Sequence, residues 1–159
     1  MSDSSSHPIS SEALSILEAA AVRPSVPPGG VYAGSVTPQE AWRLHTLGAA
    51  KIVDVRTEEE REYVGRVPDT VHVPWRLRGA QEANPRFLEQ LRAVAAQDEA
   101  VLLLCRSAHR SHLAADVAAA AGFRAVFNIL EGFEGAIDEH FHRGGLGGWR
   151  KHGLPWVQG

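Results

Sequence analysis

Short apolar runs alternate with amphipathic segments along most of the chain from residue 37 onward. The runs at residues 51–55 and 71–73 are rich in β-branched residues, and the run at 125–128 contains a valine and a phenylalanine, which is typical of strands. Residues 101–104 are continuously apolar, which indicates a strand that is buried on both faces. Strands that alternate with helices predict an α/β fold with a mainly parallel sheet.

Capping signals mark where the intervening helices begin. Thr37 is followed by a proline and, three residues on, by a glutamate, so a helix is predicted over residues 37–47. The same threonine–glutamate spacing at Thr57 predicts a short helix to about Tyr63. Two further helices are expected, one from Asn84 onward and one that ends at Gly122.

The N-terminal part of the chain is set apart by its composition. A short helix is predicted over residues 11–22, followed by a proline- and glycine-rich linker to residue 30. We therefore divide the chain into an N-terminal arm and linker, residues 1–30, and a folded domain, residues 31–159. The arm is expected to pack on the domain or on a partner.

Composition and charge exclude several classes of function. The chain has 159 residues, 44% of them apolar, and a net charge of −3 without a basic block, which argues against nucleic-acid binding. No apolar run approaches the roughly 20 residues that cross a membrane. Residues 1–11 are polar and serine-rich, without the pattern of a secretory signal. We expect a cytoplasmic protein that binds neither nucleic acid nor membrane.

The chain has a single cysteine, Cys105. One cysteine excludes an internal disulfide, a Cys-X-X-Cys redox pair and a cysteine-based zinc site. A lone cysteine is either a small buried hydrophobe or a nucleophile, and its surroundings decide between the two.

Cys105 follows the most apolar strand and precedes a helix. Ligands bind at the carboxyl ends of strands in open α/β sheets, and a helix N-terminus favours an anion. Arg106 and Arg110 add positive charge, and together these features favour the thiolate form of the cysteine. The pattern therefore predicts a nucleophile beside an anion pocket. The residues expected to bind substrate are Arg106, Ser107, Ala108, His109, Arg110 and Ser111.

Residues 105–111 closely resemble the active-site loop of the rhodanese family, commonly Cys-Arg-X-Gly-X-Arg-Ser. The likeness covers about residues 37–156, and its flanking motifs are Asp54-Val55-Arg56 with Glu62-Tyr63 and Gly65, Val71-His72-Val73-Pro74, Asn128-Ile129-Leu130-Glu131-Gly132 and Gly153-Leu154-Pro155. The resemblance implies a rhodanese-like five-stranded sheet with helices on both faces. Ala108 stands where the family usually has glycine, and a strongly positive φ would strain an alanine there.

The resemblance also implies a catalytic cycle. The Cys105 thiolate would take sulfur from thiosulfate or a similar donor, release sulfite and form a persulfide held by the backbone amides of residues 106–111. Cyanide, a thiol or a protein would accept the sulfur, and no cofactor or metal is implied. With one cysteine in the chain, the acceptor must come from outside.

Two alternative functions remain open at this point. A phosphatase or arsenate-reducing enzyme could use the same architecture. The loops of such enzymes resemble Cys-X5-Arg, however, whereas only four residues separate Cys105 from Arg110 here. A regulatory binding module could also keep the fold.

Residues outside the loop carry weaker signals. We expect Asp54 and Arg56 to act behind the loop, where Asp54 either orients it or fixes a turn, and Arg56 to pair with Glu60 or Glu62. His109 and His112, near Cys105, are expected to face solvent, although a histidine there could tune the thiolate or contact the substrate anion. His140 and His142 are expected at the surface rather than as metal ligands. The four tryptophans are expected to pack, and Trp75 follows a strand end on the active face.

Overall fold

The computed structural model describes residues 9–158. Its centre is a sheet of five parallel strands in the order β1-β5-β4-β2-β3. The strands are β1 (Gly34–Val36), β2 (Lys51–Asp54), β3 (Val71–His72), β4 (Val101–Leu104) and β5 (Val126–Ile129). The predicted α/β architecture is confirmed, and each of these strands runs parallel to its neighbours.

Within the described residues, three α-helices and one π-helical turn connect the strands, and a fourth α-helix precedes β1. They are α1 (Ser11–Ala21), α2 (Pro38–Thr46), the π turn (Glu60–Val64), α3 (Phe87–Val94) and α4 (His109–Ala120). The predicted capping box forms at the start of α2, where the Thr37 hydroxyl accepts from the Glu40 amide at 3.1 Å and the Glu40 carboxylate accepts from the Thr37 amide at 2.9 Å. Within the described residues, no helix combines the length and the apolar character needed to cross a membrane.

The helix predicted from Thr57 has a different geometry. Its capping box forms, with the Glu60 carboxylate 3.1 Å from the Thr57 amide. The chain then widens into the π turn, which closes with a hydrogen bond from the Gly65 amide to the Glu60 carbonyl at 3.2 Å. π turns are rare and are often found at functional sites.

The sequence pattern did not predict β1. Its residues, Gly-Ser-Val, form no apolar run, yet each of them is buried. The strand forms because β5 offers it a ladder, in which Ser35 pairs with Asn128. A strand this short is determined by its partner rather than by its own propensity.

The two faces of the sheet carry separate apolar cores. Along β4, Val101 and Leu103 pack into one core with α3 and α4, and Leu102 and Leu104 pack into the other with α2 and Trp149. All four β4 side chains are fully buried, as the continuous apolar run predicted. Burial on both faces places the end of β4, and so Cys105, at the centre of the molecule.

Helix α1 packs against β1 and α2. Its Ala13 and Ala20 side chains are buried in the second core. Arg23, just beyond the helix, donates to the Ser35 carbonyl at 2.7 Å and to the Glu40 carboxylate at 2.8 Å. Residues 11–21 therefore pack on the domain, one of the two arrangements expected for the arm, while the boundary at residue 30 stays a prediction.

Gly34 makes the close approach between α1 and β1 possible. A Cβ at this position would lie 2.2 Å from the Ala20 carbonyl oxygen, which belongs to helix backbone. We therefore expect Gly34→Ala to push α1 off the sheet and to lower the free energy of unfolding by roughly 1–3 kcal/mol in urea titrations. Gly145→Ala, whose Cβ would meet only the Asp138 carboxylate at 3.4 Å, is the matched control. Equal stability of the two variants would contradict this packing.

Candidate active site

Cys105 is the first residue after β4, and its side chain is 1% exposed. Its carbonyl accepts a hydrogen bond from the Phe133 amide at 2.8 Å, which links it to the segment after β5. The apolar β4 thus delivers the sulfur to the carboxyl edge of the sheet, where the sequence predicted it.

The first turn of α4 brings Ser111 back to the sulfur. The Ser111 amide donates to Cys105 Sγ at 3.3 Å, and the Ser111 hydroxyl oxygen lies 3.2 Å from the same atom. Ser111 is fully buried. The loop of residues 105–111 therefore closes around the cysteine side chain.

Backbone N–H groups of the loop remain available to a ligand. Within residues 9–158, the amides of residues 106–110 donate no hydrogen bond. The last two of them belong to the first turn of α4, where helix amides have no partner inside the helix. Free amides at a helix N-terminus favour an anion.

Ala108 adopts the left-handed conformation, with φ 77° and ψ 1°, at the residue before α4. The strain expected for an alanine at this position is therefore present, because a residue with a Cβ is disfavoured in the left-handed region. Its carbonyl accepts from Asn128 Nδ2 at 3.2 Å, and its side chain is 8% exposed. Packing and this hydrogen bond hold the loop in a conformation that alanine does not favour on its own.

Asn128 is a site residue to which the sequence reasoning gave no role. It lies in β5, is fully buried and also receives a hydrogen bond from the Ser111 hydroxyl. One side chain thus contacts both Ala108 and Ser111. A signal was present in the sequence, since an amide inside an otherwise apolar strand needs buried partners.

Gly132 lies directly against the loop backbone. A Cβ there would come within 2.5 Å of the Arg106 carbonyl group and 2.6 Å of the Ser107 amide nitrogen. The Arg106 carbonyl accepts from the amides of Glu134 and Gly135, at 2.9 and 3.2 Å. The segment after β5 therefore supports the loop from one side, which explains why the sequence motif continues to Gly132.

Arg110 is paired with Glu60 of the π turn. The guanidinium donates to both carboxylate oxygens, at 2.6 and 2.8 Å, and both side chains are mostly buried. Burial alone would raise the pKa of the Glu60 carboxyl, but the hydrogen bonds and charge of Arg110, with help from Thr57, lower it to about 2. The pKa of Arg110 is raised, because the pairing with Glu60 outweighs the effect of burial. Arg106, by contrast, is exposed at the surface.

Asp54 and Arg56 form a buried pair behind the loop. Both side chains are fully buried, and Arg56 donates to the Asp54 carboxylate at 2.8 Å. Arg61 approaches the same carboxylate at 3.0 Å. The expected pairing of Arg56 with Glu60 or Glu62 is wrong, because Arg110 already occupies the Glu60 carboxylate.

Arg56 also connects this pair to the loop through Phe133. Its guanidinium lies 4.3 Å from the centre of the Phe133 ring, in cation–π geometry, and it donates to the Gly65 carbonyl at 2.7 Å. Phe133 in turn donates its amide to the Cys105 carbonyl. The Asp54 carboxylate accepts hydrogen bonds from Arg56 and Arg61, and its charge also contributes to the raised pKa of Arg110 in the loop.

The histidines and Trp75 divide between surface and core. His109, His140 and His142 are exposed, whereas His112 is 6% exposed and its Nδ1 lies 2.6 Å from the Tyr32 hydroxyl. The expectation that His112 faces solvent is therefore wrong. Trp75 packs edge-on against Phe87 in the core. No group of three or more histidine, cysteine or acidic residues in the described part of the chain is arranged to hold a metal.

A cavity of about 400 Å³ adjoins the outer side of the loop. One wall is formed by the N-terminal linker and the other by the loop and the end of β5; the lining residues are Val26, Pro27, Ser107, Ala108, His109, Leu130 and Glu131. The linker therefore contributes directly to the surroundings of the candidate site.

Replacement of Ala108 tests the strain in the loop. Glycine adopts a positive φ without a steric penalty, so we expect Ala108→Gly to raise the free energy of unfolding by roughly 0.5–1 kcal/mol. Ala119→Gly, inside α4, should lower it by about as much, because glycine disfavours a helix interior. Urea titrations of both variants measure the difference, and destabilisation by Ala108→Gly would contradict a strained loop.

Replacement of Glu60 tests the Arg110 pair. The pKa of the Glu60 carboxyl falls from an ordinary 4.5 to about 2, so the pair stabilises the fold above pH 4.5 and loses this effect as the pH falls toward 2. We expect Glu60→Gln to lower the free energy of unfolding at neutral pH by roughly 1.5–3 kcal/mol. In denaturant titrations at a series of pH values, the difference in free energy of unfolding between wild type and Glu60→Gln should shrink toward pH 2.

The exposed pair of Arg86 and Glu89 provides the control for that experiment. Glu89→Gln should change stability little at any pH, because solvent screens exposed ion pairs. A gap between wild type and Glu60→Gln that stays constant from neutral pH to pH 2 would contradict the assignment.

Comparisons with known proteins agree with this architecture. Rv0390 from M. tuberculosis, a crystal structure, superposes with a TM-score of 0.71 at 44% sequence identity, over 80% of this chain and 99% of that one. Thiosulfate sulfurtransferase 16, chloroplastic, from Arabidopsis thaliana is 33% identical over 111 residues, which are 69% of this chain and 81% of that protein.

Another relative carries no assigned activity in its name. It is the uncharacterized protein RP600 of Rickettsia prowazekii (strain Madrid E), 33% identical over 109 residues, or 67% of this chain and 82% of that one. The model of the Rhodanese-like domain matches residues 37–139, from the cap of α2 through β5 and the segment that supports the loop. This match takes in more than half of the chain and includes Cys105 and its loop. The chain therefore belongs to the rhodanese-like domain family.

Proposed function

We propose that this protein is a sulfurtransferase that moves sulfane sulfur from thiosulfate or a related donor to a thiophilic acceptor. The observation that carries the proposal is the placement of Cys105 Sγ inside a loop whose amides at residues 106–110 have no acceptor within the described chain. An anionic sulfur species bound there would meet several hydrogen-bond donors at once.

Loading of the enzyme is a displacement at sulfur. The Cys105 thiolate attacks the outer sulfur of thiosulfate, a new sulfur–sulfur bond forms, and the old one breaks with its electron pair leaving on sulfite. The free loop amides and the exposed Arg106 supply the positive field that a sulfonate group prefers. The product is a Cys105 persulfide.

Unloading needs an acceptor from outside the chain. The sequence has no second cysteine that could attack the persulfide. A thiolate or cyanide attacks the outer sulfur and takes it, and the electron pair returns to Cys105 as a thiolate. The cavity beside residues 107–109 offers room for the body of an organic acceptor. We propose a cytoplasmic location, where a reducing environment would keep this thiol available for the cycle.

Intact mass spectrometry tests the cycle. After brief incubation with thiosulfate we expect the protein to gain the mass of one sulfur atom, and cyanide to remove it, since the persulfide is the intermediate. Cys105→Ser keeps a similar volume without the nucleophile and should gain nothing.

Other donors and substrates complete this test. No gain with thiosulfate, polysulfide or mercaptopyruvate would contradict the proposal. Turnover of p-nitrophenyl phosphate that disappears in Cys105→Ser would instead indicate a phosphatase on the same fold.

A further inference from the structure

Ser111 lies between two atoms that can both accept its proton. Its hydroxyl oxygen is 3.2 Å from Cys105 Sγ and within hydrogen-bond distance of Asn128 Oδ1. A hydroxyl has one hydrogen, so it donates to only one of the two. If the proton points to Cys105, the sulfur accepts a hydrogen bond. If it points to Asn128, the sulfur faces the lone pairs of the hydroxyl oxygen.

The orientation of the Asn128 amide is set by Ala108. The Ala108 carbonyl, 3.2 Å away, can only accept a hydrogen bond, so the group that faces it must be the amide NH2. The opposite orientation would bring two acceptor oxygens together. Asn128 Oδ1 is therefore directed at Ser111, and because an amide oxygen carries no hydrogen, Ser111 is the donor in that bond.

The sulfur then faces lone pairs of the Ser111 hydroxyl oxygen. A neutral thiol is satisfied there, because its S–H can donate to the oxygen. A thiolate would meet those lone pairs at 3.2 Å and keep only the Ser111 amide, at 3.3 Å, as a donor among these contacts. We propose that Asn128 is a positioning residue that directs the Ser111 proton away from Cys105 and so favours the thiol form of the resting protein.

Charged groups around the site act on the same equilibrium. Arg110 of α4, paired with Glu60 of the π turn, and Asp54 at the end of β2, paired with Arg56, lie on the side away from β5. Arg106 and His109 of the loop are exposed, and His112 of α4 bonds to Tyr32. The paired Arg110 and Asp54 make no described hydrogen bond to Asn128, whereas Tyr32 interacts with both Asn128 and Ser35. A contribution of Tyr32 would therefore also appear when Ser35 is replaced.

The test is the pH profile of thiolate absorbance in the purified protein. We expect Ser111→Ala and Asn128→Leu each to shift the profile toward acid and to raise the thiolate fraction at neutral pH roughly threefold to tenfold, the range that one hydrogen bond supplies. The double variant should match Ser111→Ala alone, because Asn128 acts through Ser111. The rate of alkylation by iodoacetamide should follow the same order.

Ser35→Ala is the matched control, since Ser35 is a buried serine opposite Asn128 in the β1–β5 ladder and should leave the profile unchanged. A shift toward alkali in Ser111→Ala would overturn the inference, because it would show that the hydroxyl donates to the thiolate. An Asn128→Leu effect that persists without the Ser111 hydroxyl would overturn it as well.

If Asn128→Leu fails to fold, Ser111→Ala alone shows whether the absorbance profile shifts toward acid or toward alkali. The absorbance profile and the alkylation rate are both measured on Cys105 without bound sulfur, so neither requires sulfur transfer. A protein that follows these profiles yet never gains sulfur from any donor would contradict the proposed function and leave this inference standing.

Discussion

Asn128 connects the end of β5 to the loop that encloses Cys105, and most of the local geometry depends on its two hydrogen bonds. Its amide group holds the Ala108 carbonyl, and its oxygen holds the Ser111 hydroxyl. Without it, two buried polar groups would lose their partner, which costs more than a hydrogen bond contributes on average. This one side chain thus contacts the left-handed Ala108 before α4 and the Ser111 hydroxyl that lies beside the sulfur.

Two ion pairs arrange the charges around that loop. Glu60 pairs with Arg110, and Asp54 pairs with both Arg56 and Arg61, so each acid has a guanidinium partner in a mostly buried setting. Buried charges are tolerated only with such partners. Arg106 is left exposed at the surface, where it can meet an incoming anion, while the pairs hold the π turn and β2 against the loop.

The enclosure of the sulfur shapes the chemistry that we propose. Cys105 is 1% exposed, so donors and acceptors must enter between the loop and the segments around it. One of those segments is the linker at Val26 and Pro27, which precedes the region matched by the family model. The proposed reaction centre therefore lies in the shared domain, and part of its surroundings is built by a segment outside it.

The sequence by itself determined the features that local signals control. The buried run of β4, the capping box at Thr37 and the position of Cys105 between strand and helix were all predictable, because each depends on residues a few positions apart. Tertiary structure decided β1, the burial of His112 and the partners of Glu60 and Asn128. Those contacts join residues 80 apart at His112, 50 apart at Glu60 and 17 or 20 apart at Asn128. No local propensity selects such partners, because only the packed sheet and helices bring the side chains within hydrogen-bond distance.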